Sequence, residues 1–331
     1  INPFIGINNS PILLNPPVDN ACLGVKYIHN PGAYDIDGDS LSYKLVYCRG
    51  EGGNIIPGYS YPYATNSFSI NSYTGDLIWD SPAYVGEYNV AIEIEEWRYG
   101  VKIGSVVRDM QITVVPCNNN PPELSDMADI CVVAGGEVKF SVKGTDVDNN
   151  NITLTGWGGP FVLSDSPAKF MVATGKGSVE SNFYWQTKCS HVQKQPYLVV
   201  FKVTDNGKDV SLSDVKNVRI TVIGPPPVLK SVTPKGNSMI LKWDSYECPN
   251  AKGYMIYRKD DYYGYIHDSC ETGVPLYTGY KLIKKIEGIN DTFFVDDNDG
   301  KGLIPGITYC YIMIAYFDDG AESYASVEMC S

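Results

Sequence analysis

The sequence predicts an all-β chain of tandem β-sandwiches, and three observations carry that expectation. Tyr, Gly and Pro number 25, 32 and 21 among 331 residues, while long Ala, Leu, Glu and Lys stretches are missing, a balance that favours strands and turns over helices. Apolar and polar residues alternate in short runs such as "EYNVAIEIEEW", which is the period of a half-buried strand. Asn- and Pro-rich punctuation, "PCNNNPPEL" (Pro116 to Leu124) and "GPPPVL" (Gly224 to Leu229), directly follows the strand-like "QITVV" and "RITVI". Proline cannot donate to a central ladder and stiffens what it enters, so both stretches read as short, semi-rigid junctions. They divide the chain into an extended segment, residues 1–19, and sandwiches at 20–117, 121–224 and 225–331. With junctions this short the three are expected to stand in line as a rod.

The formal charge is −12 and the pI about 4.7. Such a surface repels phosphate backbones and anionic lipid, which argues against nucleic-acid binding and leaves cations, glycans or proteins as partners. Nine cysteines form no CxxC pair and only three histidines exist, so zinc spacing is absent and disulfides are the simpler use, pointing to an extracellular or envelope location. No apolar run approaches the roughly 20 residues that span a bilayer, so no membrane insertion is expected in this segment. Both ends read as cuts in a longer polypeptide.

The first two sandwiches share an order of features. Each has an early cysteine (Cys22, Cys131), an approach strand, and aspartates ahead of an alternating strand, "AYDIDGDSLSYKL" and "GTDVDNNNITLTG". Each closes with two strands, so the pair reads as a divergent tandem repeat of about 100 residues. In the first, "NSFSINSYTGDLIWDSPAYVGEYNVAIEIEE" alternates Phe68 and Ile70, turns at Tyr-Thr-Gly, and continues through Leu77 and Trp79. This ordered combination resembles the cadherin-like and Ig-like repeats of bacterial surface proteins. In the second, only "FYWQTKC" (Phe183 to Cys189) stands near the place of the T-G-x-L-x-W element. The third sandwich, with Met239, Leu241 and Trp243 alternating and "LIPGITYCYIMIAYFDDG" following, resembles a fibronectin type III domain. The resemblance implies that Trp243 packs the core and that Tyr309 is the corner tyrosine, both structural.

The run from Cys22 to Val114, above all "EEWRYGVKIGSVVRDMQITV" (Glu95 to Val114), resembles large surface proteins of Bacteroidota that are associated with gliding motility and secreted by the type 9 system. That resemblance implies a non-catalytic spacer or adhesion segment at the bacterial cell surface. Two other roles stay open: a glycan-binding accessory region of a secreted polysaccharide-degrading system, and a component of an outer-membrane secretion or motility complex.

Cys310 and Cys330 lie equidistant from Gly320, so a hairpin turning there sets them opposite one another, where a disulfide fits. Cys131 with Cys189, and Cys248 with Cys270, are the expected pairs by proximity within one sandwich. Cys22 pairs with Cys117 or with Cys48, and the remaining cysteine is odd.

For chemistry, Asp35, Asp37 and Asp39 at alternate positions suggest a calcium site, with Glu95 or Glu96 from a neighbouring strand, because calcium takes six to eight oxygens. The competing reading is an Asx-type turn whose carboxylates accept backbone N–H bonds. Asp146 and Asp148 are the equivalent pair. Cadherin junctions of the D-x-N-D-N-P type carry calcium-binding carboxylates, and here Pro116 and Asn119 stand in their places. No enzyme is expected: His29, His191 and His267 fall in three different sandwiches, no G-x-S-x-G elbow exists, and the adjacent Glu95 and Glu96 point to opposite strand faces. Two aromatic clusters, Tyr59, Tyr61 and Tyr63, and Tyr262, Tyr263 and Tyr265, are candidates for stacking on sugars or anchoring a protein partner.

Overall fold

The computed structural model describes residues 8–208 and 210–331. They form seven sheets and a single four-residue α-helix, Gly159–Val162. The chain is all-β and built of tandem Ig-like sandwiches. No helix among the described residues is long and apolar enough to cross a membrane.

In the first sandwich a four-stranded sheet runs in the order Val18–Cys22, Val101–Val115, Gly86–Arg98, Ser40–Val46. It faces a three-stranded sheet ordered Tyr27–His29, Leu77–Pro82, Ala64–Ile70. Strand alternation sends Leu77, Trp79, Val90, Ile92, Ile94 and Ile112 inward, where none is exposed. The turn before Leu77 requires glycine, since Gly75 has φ +80° and a Cβ there would lie 2.8 Å from the Tyr43 ring.

The second sandwich sets Glu123–Leu124, Glu137–Thr145 and Ser178–Gln186 against a five-stranded sheet ordered Ile130–Val133, Ser213–Ile223, Tyr197–Asp205, Asn151–Gly158, Ala173–Lys176. Trp185 plays the part that Trp79 plays in the first. Both are fully buried on a strand of the three-stranded sheet, and each indole donates to a backbone carbonyl, Trp79 to Tyr63 (3.1 Å) and Trp185 to Ser166 (2.9 Å).

The third sandwich opposes Leu229–Lys235, Ser238–Trp243 and Phe293–Asp296 to a sheet ordered Lys281–Glu287, Gly253–Asp260, Tyr309–Tyr316, Met329–Cys330. Tyr254, Ile256, Tyr311 and Met313 fill its core, and Trp243 and Tyr309 are buried beside them. The Ile304 N–H donates to the Tyr309 hydroxyl at 3.0 Å.

The chain divides into two compact units, where three domains are expected from the junctions. One holds residues up to Ile130, Val138–Gln186 and Tyr197–Ile220, and the other holds Cys131–Glu137, Thr187–Pro196 and Thr221–Ser331. Within the former, the first two sandwiches lie side by side, not in line. Lys202 Nζ reaches Asp19 (3.1 Å), Asn217 donates to Asp76 (2.7 Å), and Val210 and Leu212 pack with the Cys22–Cys117 bridge. The fit is close enough to demand glycines, because a Cβ on Gly32 would meet Trp157 at 2.4 Å and one on Gly159 would meet Tyr34 at 2.5 Å.

Disulfides join Cys22 to Cys117 and Cys310 to Cys330, and Cys48 is left as a buried free thiol. Two expected pairings are corrected. Cys131 bonds to Cys270, with Cα atoms 5.5 Å apart, and Cys189 bonds to Cys248, with Cα atoms 5.2 Å apart. The reason is that Cys131–Glu137 and Thr187–Pro196 cluster in the same compact unit as the third sandwich, so both partners of each bridge fall within that unit. Asn250 donates to the Cys189 carbonyl (2.9 Å), and the Lys194 N–H to Asp319 (2.6 Å). Their sequence separations of 139 and 59 residues make the bridges worth roughly 5 and 4 kcal/mol on the chain-entropy model. Four bridges are the mark of a chain that matures in an oxidising compartment.

Candidate functional site

The turn that carries Asp35, Asp37 and Asp39 precedes the strand Ser40–Val46. Asp35 Oδ1 accepts the N–H groups of Asp37 (2.9 Å) and Asp39 (3.1 Å), which is an Asx-type turn. Arg98 grips Asp39 with two donors, Nε at 2.7 Å and Nη2 at 2.6 Å, and its Nη2 lies 3.7 Å from Asp37. Asp37 in turn accepts the backbone and side-chain N–H groups of Asn9, at 2.6 and 2.9 Å. Glu96 is buried and accepts from Asn8. Glu95 faces the other way, where Lys102 and Lys44 hold its carboxyl down to about 2, as alternation along a strand requires.

The carboxylate oxygens of Asp35, Asp37 and Asp39 can come within 4.8 Å of one another, which is the crowding a calcium ion would use. Donors already fill the space: of the turn's carboxylate oxygens only Asp35 Oδ2, buried, has no partner among the described residues. Burial pushes the Asp35 carboxyl up to about 6. A calcium ion takes six to eight oxygens, and the guanidinium of Arg98 stands as the turn's own cation.

The second turn repeats the design without the arginine. Asp146 Oδ1 accepts the Asn150 N–H (2.9 Å), and Asp146 Oδ2 is again buried without a donor. Asp148 accepts the backbone and side-chain N–H groups of Asn120 at 2.7 and 3.0 Å. The buried Asp205 accepts from Asn119 Nδ2 (2.6 Å) and from the N–H groups of Leu212 (2.8 Å) and Gly207 (3.0 Å). Asn119 and Asn120 thus stand to Asp205 and Asp148 as Asn8 and Asn9 stand to Glu96 and Asp37. In both cases the second asparagine precedes its aspartate by 28 residues. We call this contact the asparagine latch. The sequence reading missed its four asparagines, together with Arg98 and Asp205. A detectable signal was present, the recurrence of Asn-Asn-x-Pro at Asn8 to Pro11 and Asn119 to Pro122.

The aromatic candidates separate by exposure. Tyr59 and Tyr61 are half-buried in a chain of ring contacts, Tyr59 to Tyr47 (5.6 Å), Tyr47 to Tyr61 (5.0 Å) and Tyr61 to Phe68 (6.0 Å). Tyr59 also donates to the Asn89 carbonyl at 2.8 Å. Tyr63 is exposed and packs edge-on to the exposed Tyr84. Beneath this loop a cleft is lined by Cys48, Arg49, Ile56 and Asp109, and burial pushes the Cys48 thiol up.

In the third sandwich Tyr262 and Tyr263 are exposed, but Tyr265 belongs to the core cluster with Tyr280, Ile312 and Ile314. Its grouping as a partner-binding residue is therefore corrected, since a ring two positions on from Tyr263 in this non-strand loop turns inward. One carboxylate organises the segment: Glu328 accepts the N–H groups of Tyr263 (2.8 Å), Gly264 (2.6 Å) and Tyr265 (3.1 Å) and the hydroxyl of Tyr280 (2.7 Å).

The histidines have separate settings. His29 is buried 3.7 Å from Asp19, and burial lowers its pKa. His191 accepts the Lys188 N–H through Nδ1 (3.1 Å), and His267 stacks on Tyr324 at 3.8 Å.

No family model matches the chain, and no curated protein matches it. Among solved structures it is similar to a three-Ig structure of titin domains I67–I69, an E-to-A variant, at 12% identity, with 96% of each chain covered and a TM-score of 0.29.

Proposed function

We propose that this chain is a non-catalytic adhesion segment of an extracellular bacterial surface protein. The observation that carries the reading is a rigid display of apolar side chains. The segment 261–280 is tied down by the Cys131–Cys270 bridge and by Glu328, yet leaves Tyr262 71% and Leu276 94% exposed. A braced loop with bare aromatic and aliphatic groups is suited to binding, because little conformational freedom remains to be lost. The resemblance of Cys22 to Val114 to gliding-associated surface proteins supports the cell surface as its place and the type 9 system as its route. With the first two sandwiches side by side, adhesion is a better role than length alone.

The test is antibody labelling of intact source cells together with retention of chain-coated beads on the cells' growth surface. Labelling without permeabilisation and bead retention are the expected results. Labelling that requires permeabilisation overturns the reading. The exposed tyrosines favour one second reading, glycan binding. A saturable glycan-array signal that falls when Tyr262 and Tyr263 become Ala would put it first.

A further inference from the structure

We propose that the surface around Tyr262, Tyr263 and Tyr277 docks an arginine-bearing basic segment of a protein partner. The inference rests on the adhesion reading and adds the chemistry of what is bound. Three features of the loop converge on it.

The first is charge. Residues 260–280 contain Asp260, Asp261, Asp268 and Glu271 and no Lys or Arg of their own, with Lys259 and Lys281 flanking them. The three aspartates are exposed, whereas Glu271 is engaged by the hydroxyls of Tyr277 (2.8 Å) and Tyr265 (3.2 Å) and by the Asp268 N–H (3.2 Å). Glu271 therefore positions the two tyrosines, and the aspartates remain to pair with a partner's cations. The second is the kind of apolar group on show. In the same segment as Tyr262 and Tyr277, Ile266 is 86% and Leu276 94% exposed. A sugar ring stacks on flat aromatic faces and gains little from branched aliphatic chains, while a protein side chain can pack on both. The third is a contact that the loop already makes. Lys259 Nζ sits 5.4 Å from the centre of the Tyr263 ring, so this ring face already receives a cation. An arginine laid on Tyr262 or Tyr277 would stack as Lys259 does and could reach an aspartate with two donors, a geometry that its planar fork allows and an ammonium does not.

The experiment uses the intact chain, isotopically labelled, with two synthetic peptides as probes: one alternating Arg and Leu, the other alternating Glu and Leu. The Arg-Leu peptide should give saturable amide shifts confined to residues 260–280, weakening as salt rises. The Glu-Leu peptide should give none. Tyr262→Ala and the pair Asp261→Asn with Asp268→Asn should each weaken binding about tenfold. All three are exposed residues, so their amide spectra outside the loop should be unchanged. Equal response to both peptides, shifts outside the loop, or binding indifferent to the aspartate changes would overturn the proposal. So would a glycan signal lost in Tyr262→Ala with no response to the Arg-Leu peptide. Surface labelling and bead retention are read separately, so a failed peptide with labelled, adhering cells would sink only this inference.

Discussion

The first and second sandwiches hold the same acidic turn in two ways. In both, the leading aspartate caps the turn through Oδ1 and leaves Oδ2 buried and unpartnered, and an asparagine latches the next aspartate. The asparagine donors are common to both, and the difference is the cation: the first adds a guanidinium, Arg98, on Asp39, while the donors described for the second are neutral amides, Asn119 on Asp205 and Asn120 on Asp148. Backbone geometry is thus common to the repeat, while charge compensation is set locally. A full charge that has lost its partner in a buried site costs more than a lost neutral hydrogen bond, so the two turns should respond differently to the same kind of damage.

The largest effect tests whether the two cores are equivalent. Trp79→Ala and Trp185→Ala should each cost roughly 3–5 kcal/mol in denaturant unfolding, because both rings are fully buried. A small loss at Trp185 alone would break its equivalence with Trp79.

Next comes the contrast between the turns themselves. Arg98→Ala strands the buried Asp39 without its bidentate partner and should cost about 3 kcal/mol. Asn120→Ala removes amide donors from the exposed Asp148 and should cost about 1 kcal/mol. Equal losses by chemical denaturation would mean that charge compensation is not what separates the turns.

A smaller effect concerns pH. Burial raises the Asp35 carboxyl from 3.8 to about 6 in the folded chain, so folding favours its protonated form. Its contribution to stability is fully present below the unfolded value near 3.8 and is lost as pH rises through 6. Asp35→Asn keeps the Oδ1 acceptor and removes the buried charge. The variant should be about 1–3 kcal/mol more stable than the parent at pH 7 and about equal to it at pH 4. A variant less stable than the parent at pH 7 would show that Oδ2 has a partner that needs its charge.

The smallest expected effect is none. Melting in millimolar calcium and in chelator should coincide, because Arg98 and the asparagines occupy the carboxylates in both turns. A stabilisation near 2.7 kcal/mol, which mass action gives at a hundredfold excess over the dissociation constant, would restore an ion to the site. Asn119→Asp combined with Asn120→Asp should create calcium dependence by exchanging donors for oxygens.

Much of this architecture is legible in local pattern. Period-two alternation marks the strand that buries Val90, Ile92 and Ile94, and the symmetric placement of Cys310 and Cys330 about Gly320 matches their register across the hairpin. In the second sandwich the cue is fainter, since Trp185 fills its core without the Tyr-Thr-Gly turn that announces Trp79. The acidic turns could be located from their aspartates, but not what compensates them. Arg98 lies 59 residues from Asp39 and Asn9 lies 28 from Asp37, and no local period links such positions.

What the sequence by itself determined is the all-β class, the three sandwiches and the acidic character of the turns, because strand alternation, glycine turns and proline junctions act through neighbours along the chain. Tertiary structure alone decided that Cys131 meets Cys270 and Cys189 meets Cys248, that the first two sandwiches lie side by side through Asp19 and Lys202, and that Tyr265 turns inward while Tyr262 stays bare. The physical reason is that these outcomes depend on which surfaces bury each other, a property of side chains brought together from distant segments, and burial at a distance leaves no periodic trace in the order of residues.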